Sequence, residues 1–397
     1  MKKNCDTHGD FETIIWRDKV DMESWRGGTG ELRPGENANC PDGCAGCMEH
    51  IQGVCCVLLE VTGKCNLKCE YCFAGELEHE PDIDELKRAV EIIMSAEDKP
   101  LLQFSGGEPS LRDDLPELIS HAREMGCEYT QLNSNGLRLA NDEAYVEALA
   151  RAGLSFVFMQ FDGVCDRVYE ALRGRPLFAE KLRAIEMCDK YNLGVTLVPT
   201  IVRGVNDGQI GDIIKFGASL SPAVRGIHFQ PVAYLGRYPG KPENNDRVTL
   251  DELLSSVCEQ TDIDITNFSP SRCDHPFCGF HGSFISECRG LRPLLTGEKR
   301  DRSGITAARD NRNYVGQRWR RDPEAERCCR GQDEGTNSLD GFLGAVKTRG
   351  FTITAMAFQD AMNLDIERLR RCSLRVYDEG ILRPFCAKYL SRAKAAI

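Results

Sequence analysis

The sequence predicts an α/β fold built on a parallel sheet, and three observations carry that reading. From Gly53 onward, apolar runs of strand length alternate with amphipathic stretches of helical period. Six such strand–helix units follow one another before residue 235. Glycines and short polar residues gather where several of the apolar runs stop, as expected where parallel strands hand over to loops. The composition agrees, since 41% of the 397 residues are hydrophobic and a large core is within reach.

Residues 1–52 form a cysteine-rich segment with little apolar periodicity, of the kind that needs metal to hold a shape. Asn4-Cys5-Asp6-Thr7-His8-Gly9 reads as a turn leading into a strand that runs to Trp16. Cys40, Cys44 and Cys47 come next, with Gly43, Ala45 and Gly46 small enough to let the backbone wrap a cluster. His50 reads as a surface hydrogen-bonding side chain, with a fourth ligand to that triplet as the alternative.

The barrel-sized middle, residues 53–235, opens with a strand over 54–61, where Cys55 and Cys56 read as small buried hydrophobes. A cysteine loop follows, then a helix over 83–96 and a second strand over 100–104. Ser105-Gly106-Gly107-Glu108-Pro109 comes immediately after. Glycines there allow a ligand close to the backbone, and the carboxylate can receive an ammonium group. The third strand, 129–133, ends in the polar run Asn133-Ser134-Asn135-Gly136. A fourth, 156–161, ends at Asp162-Gly163, with Gln160 and Asp162 expected to face a cavity. The fifth and sixth are read over 195–202 and 226–232.

Gly236-Arg237-Tyr238-Pro239-Gly240 marks a boundary, and residues 236–397 form a second cysteine-rich region. It contains a short helix over 250–260, then Cys273, Cys278, Cys288, the vicinal pair Cys328 and Cys329, and finally Cys372 and Cys386. The stretches 297–313 and 331–340 are polar, carry glycine and read as mobile loops.

Chemistry concentrates in Val61-Thr62-Gly63-Lys64-Cys65-Asn66-Leu67-Lys68-Cys69-Glu70-Tyr71-Cys72-Phe73. Three thiolates spaced C-x3-C-x2-C can hold three irons of a [4Fe–4S] cluster and leave the fourth open for chemistry. A zinc knuckle or disulfide cluster is the alternative, but the same spacing recurs at Cys40, Cys44 and Cys47. Twenty cysteines without an apolar leader or a membrane-length apolar run point to a cytoplasmic protein whose reduced thiols hold metal. A net charge of −11 argues against a nucleic-acid partner bound by phosphate neutralisation.

These motifs resemble the radical SAM superfamily, in which S-adenosylmethionine (SAM) binds the open iron and is cleaved reductively to a 5′-deoxyadenosyl radical. The resemblance implies a partial (β/α)6 TIM-like barrel with cysteine-rich N- and C-terminal extensions. It also implies that Cys65, Cys69 and Cys72 hold the SAM cluster. By the same resemblance, Gly106, Gly107, Glu108, Asn133, Ser134, Asn135, Gln160 and Asp162 contact SAM, and Tyr169-Glu170-Ala171-Leu172-Arg173-Gly174 and Lys181 are familiar segments. Together with Phe229-Gln230-Pro231-Val232 and Cys273-Asp274-His275-Pro276-Phe277-Cys278, the motifs resemble the group of tetraether lipid synthase and the class D radical SAM methylases of methanopterin biosynthesis. That group implies one or two auxiliary iron–sulfur clusters, for which Cys5, Cys40, Cys44, Cys47, Cys273, Cys278, Cys328, Cys329, Cys372 and Cys386 are the candidate ligands. Relatives commonly place a C-x-x-C ahead of the segment matching Cys5-Asp6-Thr7-His8-Gly9. Here only four residues precede Cys5, so a rubredoxin-like iron is not among the expected sites. The expected activity is methylation, alkylation or coupling at an unactivated carbon of a lipid-like or cofactor-like small molecule, with electrons from a ferredoxin or flavodoxin. A peptide-modifying maturase with SPASM-type clusters is the second expectation. A simple electron carrier fits poorly, because it has no use for the Gly-Gly-Glu turn.

Overall fold

A computed structural model of the chain describes residues 1–7, 9–27, 50–74, 77, 79–288, 290–294, 305–321 and 339–393. All six expected strands form: Cys56–Thr62 (β1), Leu101–Gly106 (β2), Thr130–Ser134 (β3), Phe156–Gln160 (β4), Gly194–Val198 (β5) and Val224–Pro231 (β6). They pair in parallel in chain order. Each is nearly buried throughout, as parallel strands covered on both faces must be.

Residues beyond 236 extend the same sheet. Gly279–Glu287 (β7) lies antiparallel to Gly350–Met356 (β8), and β8 runs parallel beside β6 with Thr352 opposite Gly226. At the other edge Leu374–Asp378 (β9) runs parallel beside β1, with Leu374 opposite Cys56, and Ile381–Pro384 (β10) closes it antiparallel. Eight parallel strands therefore stand side by side, two of them drawn from the C-terminal region. At the N-terminus, Lys2–Cys5 and Gly9–Glu12 form a separate hairpin.

The helices cover one face of the sheet. Ile83–Met94 (α1) starts at a capping box in which Asp82 and Glu85 satisfy each other's backbone amides, and it buries Leu86, Val90 and Ile93. Leu115–Glu124 (α2), Glu143–Arg151 (α3), Asp166–Arg173 (α4), Phe178–Lys190 (α5) and Ile210–Ser219 (α6) follow the successive strands. Leu250–Gln260 (α7) packs on α6. Val57, Leu59, Leu102, Phe104, Val157 and Met159 meet these helices in one continuous core. Because strand side chains alternate, Leu58, Gln103, Gln131, Asn133, Phe158 and Gln160 face the other way, into a cavity.

Two loop expectations are corrected: of 331–340 only Leu339 and Asp340 are among the described residues, and they begin a helix, Leu339–Arg349. The stretch 297–313 reads as a mobile loop, yet from Ile305 onward it belongs to a helix, Ile305–Trp319 (α8), with Ala308 and Arg312 buried; residues 297–304 lie outside the described residues. Its contact face carries Asn311, Arg312, Val315 and Trp319, too polar to register as an apolar stripe. α8 crosses the N-terminal ends of the strands: Arg312 donates to Lys99 O, and Asn311 Nδ2 lies 3.4 Å from Cys55 Sγ. The first residue of β5 must be glycine for this, since a Cβ on Gly194 would lie 2.1 Å from Trp319 O.

Arg225 anchors that end of the molecule. Fully buried, it donates from Nε to Arg318 O at 3.0 Å, from Nη1 to Thr348 O at 2.7 Å and from Nη2 to Lys347 O at 3.1 Å. Those carbonyls close α8 and Leu339–Arg349 (α9), so one cation meets the negative ends of two helices. Arg225→Met should therefore lower unfolding stability by at least about 3 kcal/mol in chemical denaturation. A loss under about 1 kcal/mol would show that these helix ends are held by other contacts.

Candidate functional site

At the opposite, C-terminal ends of the strands, β1 leads into the cysteine loop and β2 into Gly106-Gly107-Glu108. The two are joined by backbone. Gly107 N donates to Thr62 O and Glu108 N to Lys64 O, both at 2.8 Å. No other residue fits at this approach: a Cβ on Gly107 would lie 2.2 Å from Lys64 O, and Gly106 adopts φ +125° with its own Cβ position 2.2 Å from Thr62 O. Glu80 holds the loop's stem, accepting from Thr62 Oγ1 at 2.5 Å and from Gly63 N at 3.1 Å.

The Glu108 carboxylate is buried and aimed by four donors. Oε1 accepts from Ser110 N, Ser110 Oγ and Ser134 Oγ at 3.1, 2.6 and 2.7 Å, and Oε2 from Asn135 N at 2.7 Å. Asn135 also reaches the cysteine loop, donating from Nδ2 to Asn66 Oδ1 at 2.7 Å. Asn133 sits deeper, accepting from Gln131 Nε2 at 2.7 Å and lying 3.5 Å from Gln103 Oε1. Glu108, Asn133, Ser134, Asn135 and Gln160 all border one cavity of about 310 Å3, together with Cys65, Cys69 and Cys72.

Asp162 is placed differently from the expectation that it faces the cavity. It is fully buried behind Gln160 and is absent from the described lining. Its Oδ1 accepts from Arg173 Nη2 at 2.7 Å and Thr200 N at 3.1 Å, and its Oδ2 from Arg173 Nε at 2.8 Å and Gln160 Nε2 at 3.2 Å. This is a bidentate ion pair with every acceptor occupied. Arg173 Nη1 also lies 3.5 Å from Tyr71 O, and the guanidinium is near enough to Cys69 to feel its charge, so the pair braces the cysteine loop. Lys181, equally buried, donates to Asn135 O at 2.6 Å, and burial pulls its amine down to about 8 against the opposing pull of Asp162. Arg173 and Lys181 lie in segments that the resemblance marks as familiar, and the sequence alone assigns neither a task. Asn66, Glu80, Gln103, Gln131 and His228 went unremarked, although polar residues at inward strand positions are the signal for the latter three.

The residues fit a resident [4Fe–4S] cluster and SAM on two grounds. The donor set is three soft thiols on one loop, beside a carboxylate able to bind an ammonium group. Burial pushes the Cys65 thiol up to about 11, opposed by the Leu67 N–H and reinforced by Glu108, so thiolate at this lip calls for metal cations. Among the described residues no three His, Cys, Asp or Glu side chains gather around a single ion. A cluster in which each thiolate takes a different iron needs a wider arrangement than that.

The C-terminal cysteines are drawn together in part. Cys273 Sγ lies 3.0 Å from Ser373 Oγ and near enough to Cys55 to feel its charge. Arg368 Nε donates to Cys278 Sγ at 3.3 Å, and Cys278, Cys372 and Cys386 lie near enough to feel one another's charge. Cys40, Cys44, Cys47, Cys328, Cys329 and the side chain of Cys5 lie outside the described residues. No helix among the described residues is long and apolar enough to cross a membrane.

Comparison with known proteins places this geometry in context. A family profile described as the radical SAM superfamily matches residues 59–217. A 7,8-dihydro-6-hydroxymethylpterin dimethyltransferase of Methanocaldococcus jannaschii is 39% identical over 277 residues, covering 67% of this chain and 54% of that protein. An Fe-coproporphyrin III synthase of Methanosarcina barkeri is 32% identical over 207 residues, covering 51% of this chain and 49% of that protein. The chain thus spans about half the length of these curated relatives. Of solved structures, anSMEcpe with bound AdoMet and Cp18Cys peptide superposes with a TM-score of 0.40 at 21% identity, over 51% of this chain and 57% of that one.

The seating of the loop on the glycine turn is testable without ligands. Gly107→Ala should displace the Thr62–Lys64 stem, lower stability by about 2–4 kcal/mol and speed amide hydrogen exchange at residues 107 and 108. Exchange and stability equal to the parent would show that the two hydrogen bonds do not hold the loop.

Proposed function

The chain carries a radical SAM domain, and we propose that it is an enzyme that uses SAM-derived radical chemistry to methylate or alkylate a carbon of a cofactor-like small molecule. One observation carries the reading: three thiols at C-x3-C-x2-C spacing and a four-fold-aimed carboxylate share the mouth of one closed-ended cavity. The relative named as a dihydropterin dimethyltransferase favours methylation, and a pterin-like substrate, over the lipid-like alternative.

When bound, the cluster and SAM supply one-electron cleavage of the sulfonium to a 5′-deoxyadenosyl radical. Cys65, Cys69 and Cys72 would hold the cluster. Glu108 would receive the SAM ammonium group, already oriented by Ser110, Ser134 and Asn135, so little reorganisation accompanies binding. Gly106 and Gly107 would let the backbone reach SAM, and Asn133, Ser134, Asn135 and Gln160 would border its remainder. Asp162 would act through Gln160 and Arg173 as a positioning residue. The floor of the cavity, sealed by α8, would exclude water from a reactive intermediate.

We further propose at least one auxiliary cluster, with Cys278, Cys372 and Cys386 contributing ligands and Cys40, Cys44 and Cys47 supplying others, and a low-potential ferredoxin or flavodoxin as electron donor.

Replacing Cys65, Cys69 and Cys72 together by alanine should abolish 5′-deoxyadenosine formation by anaerobically reduced protein while other iron stays bound. Surviving cleavage would sink the assignment. About eight irons per chain before replacement would support an auxiliary cluster, and about four, all lost with the triplet, would exclude it.

Glu108→Ala should weaken SAM binding roughly ten- to a hundredfold, the equivalent of one charge-assisted contact, with iron content kept. Unchanged SAM affinity would remove Glu108 from the site.

A further inference from the structure

The cavity continues below the proposed SAM site to a floor contributed by α8, which lies outside the residues matched by the family profile. Trp319 closes it. The indole is 6% exposed, with its ring centroid 5.0 Å from Phe158 and 5.7 Å from Phe156, and its Nε1 donates to Thr352 Oγ1 at 2.9 Å. The His228 ring lies 5.0 Å from Phe158 and completes an aromatic bed.

Two polar groups on this floor, His228 and Asp274, present acceptors. Thr354 Oγ1 gives its proton to Ile227 O at 3.2 Å, so it accepts Nδ1–H of His228 at 2.8 Å. That tautomer leaves the Nε2 lone pair without a partner among the described residues. Burial pulls His228 down to about 3, so the ring stays neutral. Gln131, fully buried, donates one amide N–H to Asn133, and its Oε1 has no access to the cavity. Asp274 adds a carboxylate whose oxygens accept from Ser373 N at 2.7 Å and Ser271 Oγ at 3.1 Å. Of the described lining residues, the one basic side chain is Arg173, already bound to Asp162.

Resting on the reading of the chain as a small-molecule radical enzyme, we propose that α8 is its specificity element. Trp319 and Phe158 would stack a flat nitrogen heterocycle whose ring N–H or amino donors are taken by His228 Nε2 and Asp274. A floor with two acceptors and no free cation among the described lining residues disfavours carboxylates and phosphates, and a short aromatic end disfavours a long alkyl chain.

Anaerobic equilibrium dialysis on cluster-loaded, SAM-saturated protein tests this with three probes: pterin, 1,3-dimethyllumazine (the same ring shape with no N–H donor) and myristate. Pterin should bind at least about tenfold more tightly than the other two. Trp319→Leu and His228→Phe should each weaken pterin at least about tenfold, Trp319→Phe should restore most of the loss, and SAM affinity, which reports an intact fold, should be unchanged. Equal binding of pterin and dimethyllumazine, tighter binding of myristate, or pterin affinity unmoved by Trp319→Leu and His228→Phe would overturn the proposal. Absence of 5′-deoxyadenosine formation in the parent protein would instead count against the enzymatic reading and leave the binding comparison standing.

Discussion

Two amide protons, those of Gly107 and Glu108, go to the carbonyls of Thr62 and Lys64 at 2.8 Å, and the arrangement of the mouth depends on that contact. It ties the loop after β1 to the turn after β2, so the cysteines and the glutamate cannot drift apart independently. Asn135, at the end of β3, joins both: its amide goes to Glu108 and its side chain to Asn66. Three neighbouring strand ends thus form one rigid rim. A Cβ at Gly107 would meet Lys64 O at 2.2 Å, so the sequence leaves one residue type free to satisfy the geometry.

Charge inside the molecule is settled before any ligand arrives. Glu108 has four donors, Asp162 a bidentate arginine, and Arg173 ties that pair to the cysteine loop at Tyr71 O. Buried ions that are fully partnered cost far less than ions awaiting a partner, and they hold their orientation. What remains open is informative: the His228 Nε2 acceptor toward the floor, which has no partner among the described residues, and at the mouth the Cys65 thiol that burial holds protonated. Those are the positions at which bound groups would complete the protein's own bonding.

Much of this was legible in the sequence. The six strands declare themselves because strands buried on both faces are written as apolar runs, and their ends are marked by Gly106-Gly107, Asn135-Gly136 and Asp162-Gly163. The cysteine spacing is local and survives any fold. Other features were hidden for physical reasons. β8 and β9 join the parallel sheet from opposite edges, and pairings such as Leu374 with Cys56 are fixed by tertiary packing across hundreds of residues. α8 was misread because its contact face mixes Trp319 and Val315 with Asn311 and Arg312, whose polar groups are satisfied by Cys55 and Lys99 only once the fold exists. Asp162 looked like a ligand contact because a strand-end carboxylate in a barrel often is one. Arg173, eleven residues on, claims it.

The central claim is that the Cys65–Cys69–Cys72 loop holds a cluster with one iron open to SAM beside Glu108. Electron paramagnetic resonance of the anaerobically reduced protein, recorded before and after SAM is added, tests it most directly. The account predicts a [4Fe–4S]+ signal whose g-values shift when SAM binds, in the parent protein and in a variant lacking Cys40, Cys44 and Cys47. A signal that SAM leaves unchanged, or one that is lost with Cys40, Cys44 and Cys47 instead of with Cys65, Cys69 and Cys72, would contradict it.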